Sequence, residues 1–336
     1  MPSQMQDVAV RAGVSVTTVS HVLNGTRAVA QATRERVLAA AHELNYYKNS
    51  SARLLARGRS DCYGLLISDI ENPFFPELIK SFEIACLESG MEVLLATTNY
   101  DTAQARKAVG RMIESKVSGV AVMTSQLDRE LIEELVTNGT PMVRLDGGKP
   151  GHGRSTVSMD YVPGSRRAVR HLASLGHRRL GFISGPLDRV SAVSFRDAIL
   201  RAASEAGLPK PRLIESQSTP DSGGAAVREW MARGELPTAI LCGNDLCALG
   251  VMGAIFEAGL QVPADVSVIG ADDILFARFS HPPLTTIRFP RDVLGKVAFD
   301  ALQRLVKLKR PLGRLYPIET QLVVRQSTGA APKARR

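Results

Sequence analysis

The chain has 336 residues, a length that suits two or three domains rather than one. Its hydrophobic content of 44% and charged content of 22% are typical of a globular protein with a sizeable core. No apolar run approaches the roughly 18 residues of a membrane span, so we expect no membrane partner. The net charge is +9, and residues 1–60 contribute eight basic against three acidic side chains. This basic segment indicates a polyanion, such as nucleic acid, as its partner.

The segment from Gln4 to Thr26 predicts two short helices joined by a tight turn. Apolar residues recur at helical spacing from Met5 to Ala12, and Gly13 ends that run. Ser15 is expected to cap the second helix. The polar face of that helix offers small side chains, at Val16, Thr17, Thr18, Ser20 and His21. A helix-turn-helix that enters a major groove has this pattern, and an ordinary surface pair of helices is the alternative.

Two further segments complete the basic N-terminal region. Thr33 is expected to cap a third helix, RERVLAAAHEL, which would close a three-helix head over residues 1–48. The next segment, SSARLLARG, contains helix-forming residues but is too short to be stable alone. We therefore expect it to fold only against DNA or against the same segment of a second subunit.

From Tyr63 the pattern changes to an alternation of apolar strands and amphipathic helices. The predicted strands are YGLLIS, MEVLLAT, GVAVM, PMVRL, RLGFIS, TAILC and DVSVIG. Two series of such units indicate an α/β body with two doubly wound parallel sheets. Residues 147–155 and 279–291 are candidate crossings between the halves. A helix near 292–307 and strands near 316–325 would complete the sheets, and residues 328–336 are expected to be disordered.

The cysteines and the N-terminal sequence indicate in which cellular compartment the protein is found. Cys62, Cys86, Cys242 and Cys247 have neither a C-x-x-C pair nor zinc-type spacing, and Cys86 and Cys242 lie in apolar runs. We expect these two to be buried thiols in a reducing cytoplasm. The sequence MPSQMQDV lacks the features of a signal peptide, which agrees with a cytoplasmic protein.

No motif of catalysis is found. The chain has no phosphate-binding G-x-x-x-x-G-K-[ST], no G-x-S-x-G and no H-E-x-x-H, so we predict neither an enzyme nor a cofactor or metal. A pure solute-binding protein is the strongest alternative, because the body alone would serve that role. The basic head and the missing signal peptide argue against it.

These segments together resemble the lactose repressor/galactose repressor (LacI/GalR) family, from about residue 5 to 327. The matching motifs are DVAVRAGVSVTTVSHVLNG, ATRERVLAAAHELNY, ARLLARGRS, ISDIENPFF, LASLGHRRLGFISGPLD, AILCGNDLCALG, VPADVSVIGADD and PPLTTIRFP. Within the family the head looks most like that of the purine repressors. The resemblance implies a helix-turn-helix head over 1–48, a hinge over 49–60 and a periplasmic-binding-protein-like body over 61–327. It further implies one lobe from 61–160 plus 291–319 and another from 161–290 plus 320–327.

The resemblance also implies a function. Family members act as transcription regulators, mostly repressors, that bind a pseudo-palindromic DNA operator as a homodimer or tetramer and respond to a small-molecule effector. Here Thr17, Thr18 and His21 would face bases, and Leu55 would be a wedge in the minor groove. Lys48 stands where many relatives have proline. The candidate DNA-binding residues are Ser15, Val16, Thr17, Thr18, Ser20, His21, Asn24, Arg27, Arg53, Leu55 and Arg57.

An effector site is implied in the cleft between the two lobes. The candidate residues are Asn72, Phe74, Phe75, Asp146, Arg189, Ser191, Phe195, Asn244 and Asp272. Phe195 replaces an arginine that many relatives place there, while Arg189 matches a second ligand arginine. A phenyl ring supplies no charge and can stack on a sugar, so we expect a neutral sugar, sugar alcohol or glycoside. An anionic effector held by Arg189 and Arg196 is the alternative.

Overall fold

The computed structural model describes residues 4–25, 27–46, 59–124, 127–308 and 310–333. The chain divides into two compact units, Met1–Ser60 and Asp61–Arg336. The predicted hinge contacts Arg53, Leu55 and Arg57 lie outside the described residues.

The first unit contains helices α1 (Met5–Ala12), α2 (Val16–Asn24) and α3 (Gln31–Glu43). Gly13 ends α1 in the left-handed conformation, with φ +64°. The Ser15 hydroxyl accepts a hydrogen bond from the Thr18 amide at 3.1 Å, which confirms the predicted cap of α2. The predicted start of α3 is wrong. Its first residue is Gln31, because Gln31 and Ala32 are good helix formers and extend the helix before Thr33.

A small core holds these three helices together. Val8 of α1, Val19 of α2 and Val37 of α3 are each fully buried and belong to one apolar cluster. Among the described residues of this unit few other side chains are buried, and most of those are alanines. The stability of the first unit therefore depends on a handful of valine contacts.

The second unit contains two six-stranded sheets. The strands are β1 (Cys62–Ile67), β2 (Glu92–Thr97), β3 (Val120–Met123), β4 (Met142–Leu145), β5 (Arg154–Asp160), β6 (Leu180–Ser184), β7 (Arg212–Glu215), β8 (Ala239–Cys242), β9 (Ser267–Asp272), β10 (Thr285–Arg288), β11 (Leu315–Glu319) and β12 (Gln321–Val323). The helices are α4 (Phe74–Glu88), α5 (Thr102–Glu114), α6 (Arg129–Thr137), α7 (Tyr161–Ser174), α8 (Val190–Glu205), α9 (Pro220–Ala232), α10 (Asp245–Glu257), α11 (Phe276–Phe279) and α12 (Arg291–Lys307).

The strand order defines two lobes. The first lobe has the order β11-β5-β4-β3-β1-β2 with every pair parallel. The second lobe has the order β12-β10-β9-β8-β6-β7, and only the β10–β12 pair is antiparallel. The order reverses between β1 and β3 in the first lobe and between β6 and β8 in the second. Loops at such reversals part and leave a crevice at the carboxyl ends of the strands.

Of the two predicted crossings between the halves, one is wrong and the other is confirmed in part. Residues 147–155 do not cross, because they join β4 to β5 within the first sheet. The segment 279–291 is partly a strand: β10 lies in it, since the β-branched residues Thr285, Thr286 and Ile287 are buried in the second sheet. The chain passes between the sheets after β5, after β10 and again between β11 and β12.

The expected disorder of the tail is wrong for its first residues. The Ala331 amide donates to the Leu175 carbonyl at 2.8 Å, and the Gly329 amide donates to the Ser267 hydroxyl at 3.1 Å. The fully buried His177 ring lies 3.1 Å from the Gly329 carbonyl oxygen. Specific partners for backbone groups therefore order a segment whose composition alone suggests a flexible tail.

Two other predictions concern the cysteines and membrane-spanning segments. Cys86 and Cys242 are buried free thiols, as expected. Over the described residues, no helix has the length and apolar character needed to cross a membrane.

Candidate DNA-binding and effector sites

The exposed face of α2 carries the predicted base-contacting side chains. Val16 and Thr17 are exposed, and Thr18 is half-buried with its hydroxyl 2.9 Å from that of Ser15. The Asn24 amide donates to the Ser20 hydroxyl at 3.1 Å, which holds two further polar groups along this helix. His21 is half-buried and Arg27 is exposed.

This surface suits a polyanion. Helix α2 contains no acidic residue, and its first turn exposes small side chains that let the backbone approach a groove. On α1, Arg11 is already paired with Glu43 of α3 at 2.6 Å, so it contributes less free charge than its position suggests. The geometry is that of a recognition helix presented by a compact three-helix unit.

A cavity of about 550 Å³ lies between the two lobes of the second unit. Its walls come from loops at the carboxyl ends of strands in both sheets, including those after β1, β2, β6 and β8. This volume is within the range of ordinary ligand sites. Of the predicted effector residues, Asn72, Phe74, Phe75, Arg189, Ser191, Phe195, Asn244 and Asp272 line it.

Aromatic rings form the apolar wall of this cavity. Phe195 packs against Tyr161, Phe182 and Phe289, with ring centroids 5.5 to 5.6 Å apart. It is only 4% exposed, so its ring is mostly covered by these neighbours. Phe74 and Phe75 form a separate edge-to-face pair at 5.2 Å. The cavity therefore offers apolar ring edges and a limited part of Phe195 to a ligand.

Asp272 places a carboxyl group on the cavity wall. It is 7% exposed, and within the described part of the chain its carboxylate accepts no hydrogen bond. Burial raises the pKa of Asp272 well above its usual range, and the nearby Asp245 carboxylate raises it further. The guanidinium of Arg291, at the start of α12, donates to the backbone carbonyls of Asp272 and Asp273 and so fixes this turn. A buried carboxylate without a donor is available for a ligand that brings one.

The two asparagines on the cavity wall already make hydrogen bonds to nearby backbone groups. The Asn244 amide caps α10 by accepting from Cys247, and it donates to the Ser218 carbonyl at 2.9 Å. The Asn72 side-chain oxygen accepts from the Phe74 amide at 2.9 Å. The amide donors of Asn72 are thus available to a ligand, whereas Asn244 already uses its side-chain oxygen and an amide donor within the protein.

The structure places two other residues away from the wall. Asp146 does not line the cavity: after β4 it adopts a left-handed turn, with φ +49°, and its carboxylate accepts from the Met159 amide at 2.8 Å and the Tyr161 hydroxyl at 2.9 Å. The predicted contact between Asp146 and an effector is therefore wrong. Asp146 instead holds Tyr161, which does line the cavity. Arg196, proposed for an anionic effector, instead pairs with Asp197 at 2.7 Å.

The sequence analysis did not identify several residues that line the cavity. They are Ser68, Asp69, Glu71, Tyr100, Tyr161, Phe182, Gln217 and Phe289. Ser68 ends one predicted strand and Tyr100 follows another, so the rule that ligands bind at carboxyl ends of parallel strands could have identified them. Gln217 follows β7, which was not predicted because its sequence, RLIE, is short and mostly exposed.

The formal charges on the wall are unequal. The cavity is lined by the carboxylates of Asp69 and Glu71, by the Asp272 carboxyl group, whose pKa is raised by burial, and by one guanidinium, that of Arg189. This excess of acceptors disfavours an anionic ligand and favours one that supplies hydrogen-bond donors.

A helix-turn-helix unit followed by a two-lobed ligand-binding unit defines a DNA-binding regulator that responds to a small molecule. Residues 4–49 match the family described as bacterial regulatory proteins, lacI family, and residues 169–328 match a periplasmic binding protein-like domain. The chain is 36% identical to the HTH-type transcriptional repressor PurR of Erwinia tasmaniensis, over 98% of this chain and 97% of the relative. The chain therefore belongs to the lacI family of bacterial regulatory proteins.

Solved structures agree with this assignment. The lac repressor dimer bound to operator and the anti-inducer ONPF has a TM-score of 0.84 and 30% identity, covering 98% of this chain and 100% of that chain. The complex of the transcriptional regulator CelR with cellobiose has a TM-score of 0.74 and 30% identity, covering 97% and 99%. The chain is thus a DNA-binding transcription regulator with an effector-binding domain. Membership of a family of repressors confirms the prediction that it is not an enzyme.

Proposed function

We propose that the chain acts in the cytoplasm as a homodimeric repressor of a pseudo-palindromic operator, and that a neutral, polyhydroxylated effector controls it. The observation that carries the effector class is the buried Asp272 carboxyl group, which has no hydrogen-bond partner among the described residues and shares the cavity wall with two further carboxylates and one guanidinium. A sugar supplies hydroxyl donors for these acceptors. Binding of cellobiose by the similar regulator CelR supports this class.

On the DNA side, we assign base contacts to Thr17, Thr18 and His21. The hinge residue Leu55 is assigned to a wedge at the operator centre, flanked by Arg53 and Arg57. Ser15, Val16, Ser20, Asn24 and Arg27 are assigned to the edge of the same interface. The lac repressor dimer on its operator supports this arrangement, because the chain covers that structure from end to end.

The effector class is tested with sugars, sugar acids and purines in a thermal-shift screen followed by calorimetry. A ligand that binds only the folded state raises the melting temperature by mass action. We expect neutral sugars to bind the wild type more tightly than sugar acids, and Phe195→Arg to shift the preference toward the acids because it adds a guanidinium. Preference of the wild type for acids or purines would overturn the proposed class.

Operator binding should depend steeply on salt. Each neutralised phosphate contributes about −0.9 to the slope of log affinity against log salt, so six or more contacts per dimer lower affinity by about a thousandfold or more between about 50 and 200 mM. The motivation is the excess of basic side chains in residues 1–60. Fluorescence anisotropy with an operator selected from randomised DNA measures this slope. A scrambled duplex is the control, and equal affinity for it or a flat slope would contradict specific binding.

A further inference from the structure

Two residues from opposite lobes meet at the cavity. Tyr100 follows β2 of the first lobe, and Arg189 lies between β6 and α8 of the second. The guanidinium carbon of Arg189 lies 3.8 Å from the centroid of the Tyr100 ring. This is well within the distance of a cation–π interaction. The contact therefore bridges the cleft that an effector enters.

The turn that carries Tyr100 is held firmly on the first lobe. Asn99 and Tyr100 both have left-handed backbones, with φ of +47° and +56°. The Thr98 amide donates to the Ile67 carbonyl at 3.0 Å, and the Asn99 amide donates to the Ser68 carbonyl at 2.7 Å. These bonds tie the turn to the end of β1, so the aromatic ring is presented from a fixed backbone.

Arg189 is also fixed through its backbone. Its amide donates to the Pro186 carbonyl at 3.2 Å, and its own carbonyl accepts from Val193 in the first turn of α8. The Nε atom of Arg189 is buried and has no hydrogen-bond partner in the described part of the chain.

We propose that Tyr100 is a positioning residue of the effector site. Its ring holds the face of the Arg189 guanidinium across the cleft and so fixes this cation at the cavity wall, where it can meet an oxygen of the effector. The inference rests on the proposed effector role of the cavity. It assigns the ligand a second feature: one oxygen acceptor near Arg189, in addition to the donors that Asp272 requires. The contact between Tyr100 and Arg189 also links the two lobes. An effector that binds Arg189 therefore stabilises the arrangement in which the two lobes are in contact across the cleft.

A double-mutant cycle in the full-length chain tests the link without any ligand. Unfolding in urea is measured for wild type, Tyr100→Leu, Arg189→Met and the double variant. We expect a coupling between Tyr100 and Arg189 that corresponds to a two- to thirtyfold effect on the unfolding constant, about the range of cation–π pairs. Tyr100→Phe keeps the aromatic ring and should retain most of the coupling to Arg189. The matched control is Arg196→Met, in the helix α8 that follows Arg189; Arg196 is paired with Asp197 and should show no coupling to Tyr100→Leu.

A spectroscopic readout separates positioning from general stability. The Hε resonance of Arg189 should be shifted upfield by the Tyr100 ring in wild type and Tyr100→Phe, and should lose that shift in Tyr100→Leu. Addition of the neutral sugar that raises the melting temperature most should change the chemical shift of the same resonance, and Tyr100→Leu should weaken binding of that sugar by about three- to thirtyfold. Absence of both the coupling and the ring shift would overturn the proposal. If both are present while no sugar binds, the proposed effector class fails but the positioning contact stands.

Discussion

Replacing Asp272 with asparagine is expected to lower effector affinity by about tenfold to a hundredfold while operator binding without effector is unchanged. The carboxylate is buried on the cavity wall and accepts no hydrogen bond from the described residues. A buried polar group that loses its hydrogen-bond partner costs about 1–3 kcal/mol, and each 1.4 kcal/mol is tenfold in affinity. Asparagine keeps the volume but replaces one acceptor oxygen with a donor. Calorimetry with the sugar found in the screen measures the loss.

Asp245→Asn is the matched control for this substitution. Asp245 is also buried, and burial raises its pKa to about 7, but its carboxylate already accepts from the Thr286 hydroxyl and the Ile274 amide. It does not line the cavity. The variant should therefore change the unfolding midpoint and leave effector affinity within a fewfold of the wild type. Equal effector affinity of Asp272→Asn and wild type would refute the role given to Asp272.

The sequence was informative where local rules decide the structure. Gly13 and Ser15 predicted the turn and cap of the helix-turn-helix because left-handed backbone and N-terminal capping are properties of single residues. Continuous apolar runs predicted the central strands, since both faces of a parallel sheet are buried. Strands β5 and β7 were missed because one is rich in polar residues and the other is an exposed edge.

Side-chain direction was harder to predict than position along the chain. Asp146 follows a strand as expected, but its left-handed turn directs the carboxylate to Met159 and Tyr161 instead of the cavity. The stacking of Tyr100 on Arg189 joins residues 89 positions apart from different sheets, and no periodicity or motif encodes such a pair. Tertiary packing therefore determined which of the predicted effector residues reach the cavity.

Replacement of Val19 by aspartate should unfold the first unit and abolish specific operator binding, with the second unit left folded. Val19 is fully buried between α1 and α3, where it meets Val8 and Val37. An unpaired charge in such a core costs several kcal/mol, which is comparable to the whole stability of a unit of this size. We expect a loss of operator affinity of about a thousandfold or more, since without folded heads only non-specific attraction is left. Anisotropy with the selected operator and circular dichroism measure the two effects.

Val10→Asp provides the same chemical change at a solvent-exposed site. Val10 lies on α1 of the same unit and is 81% exposed, so its replacement adds a negative charge without disturbing the core. Its operator affinity should fall only severalfold, by reduced electrostatic attraction. Effector affinity should be unchanged in both variants, because the cavity is built entirely from residues of the second unit. If Val19→Asp bound the operator as tightly as Val10→Asp, the three-helix unit would not be the part of the chain that recognises DNA.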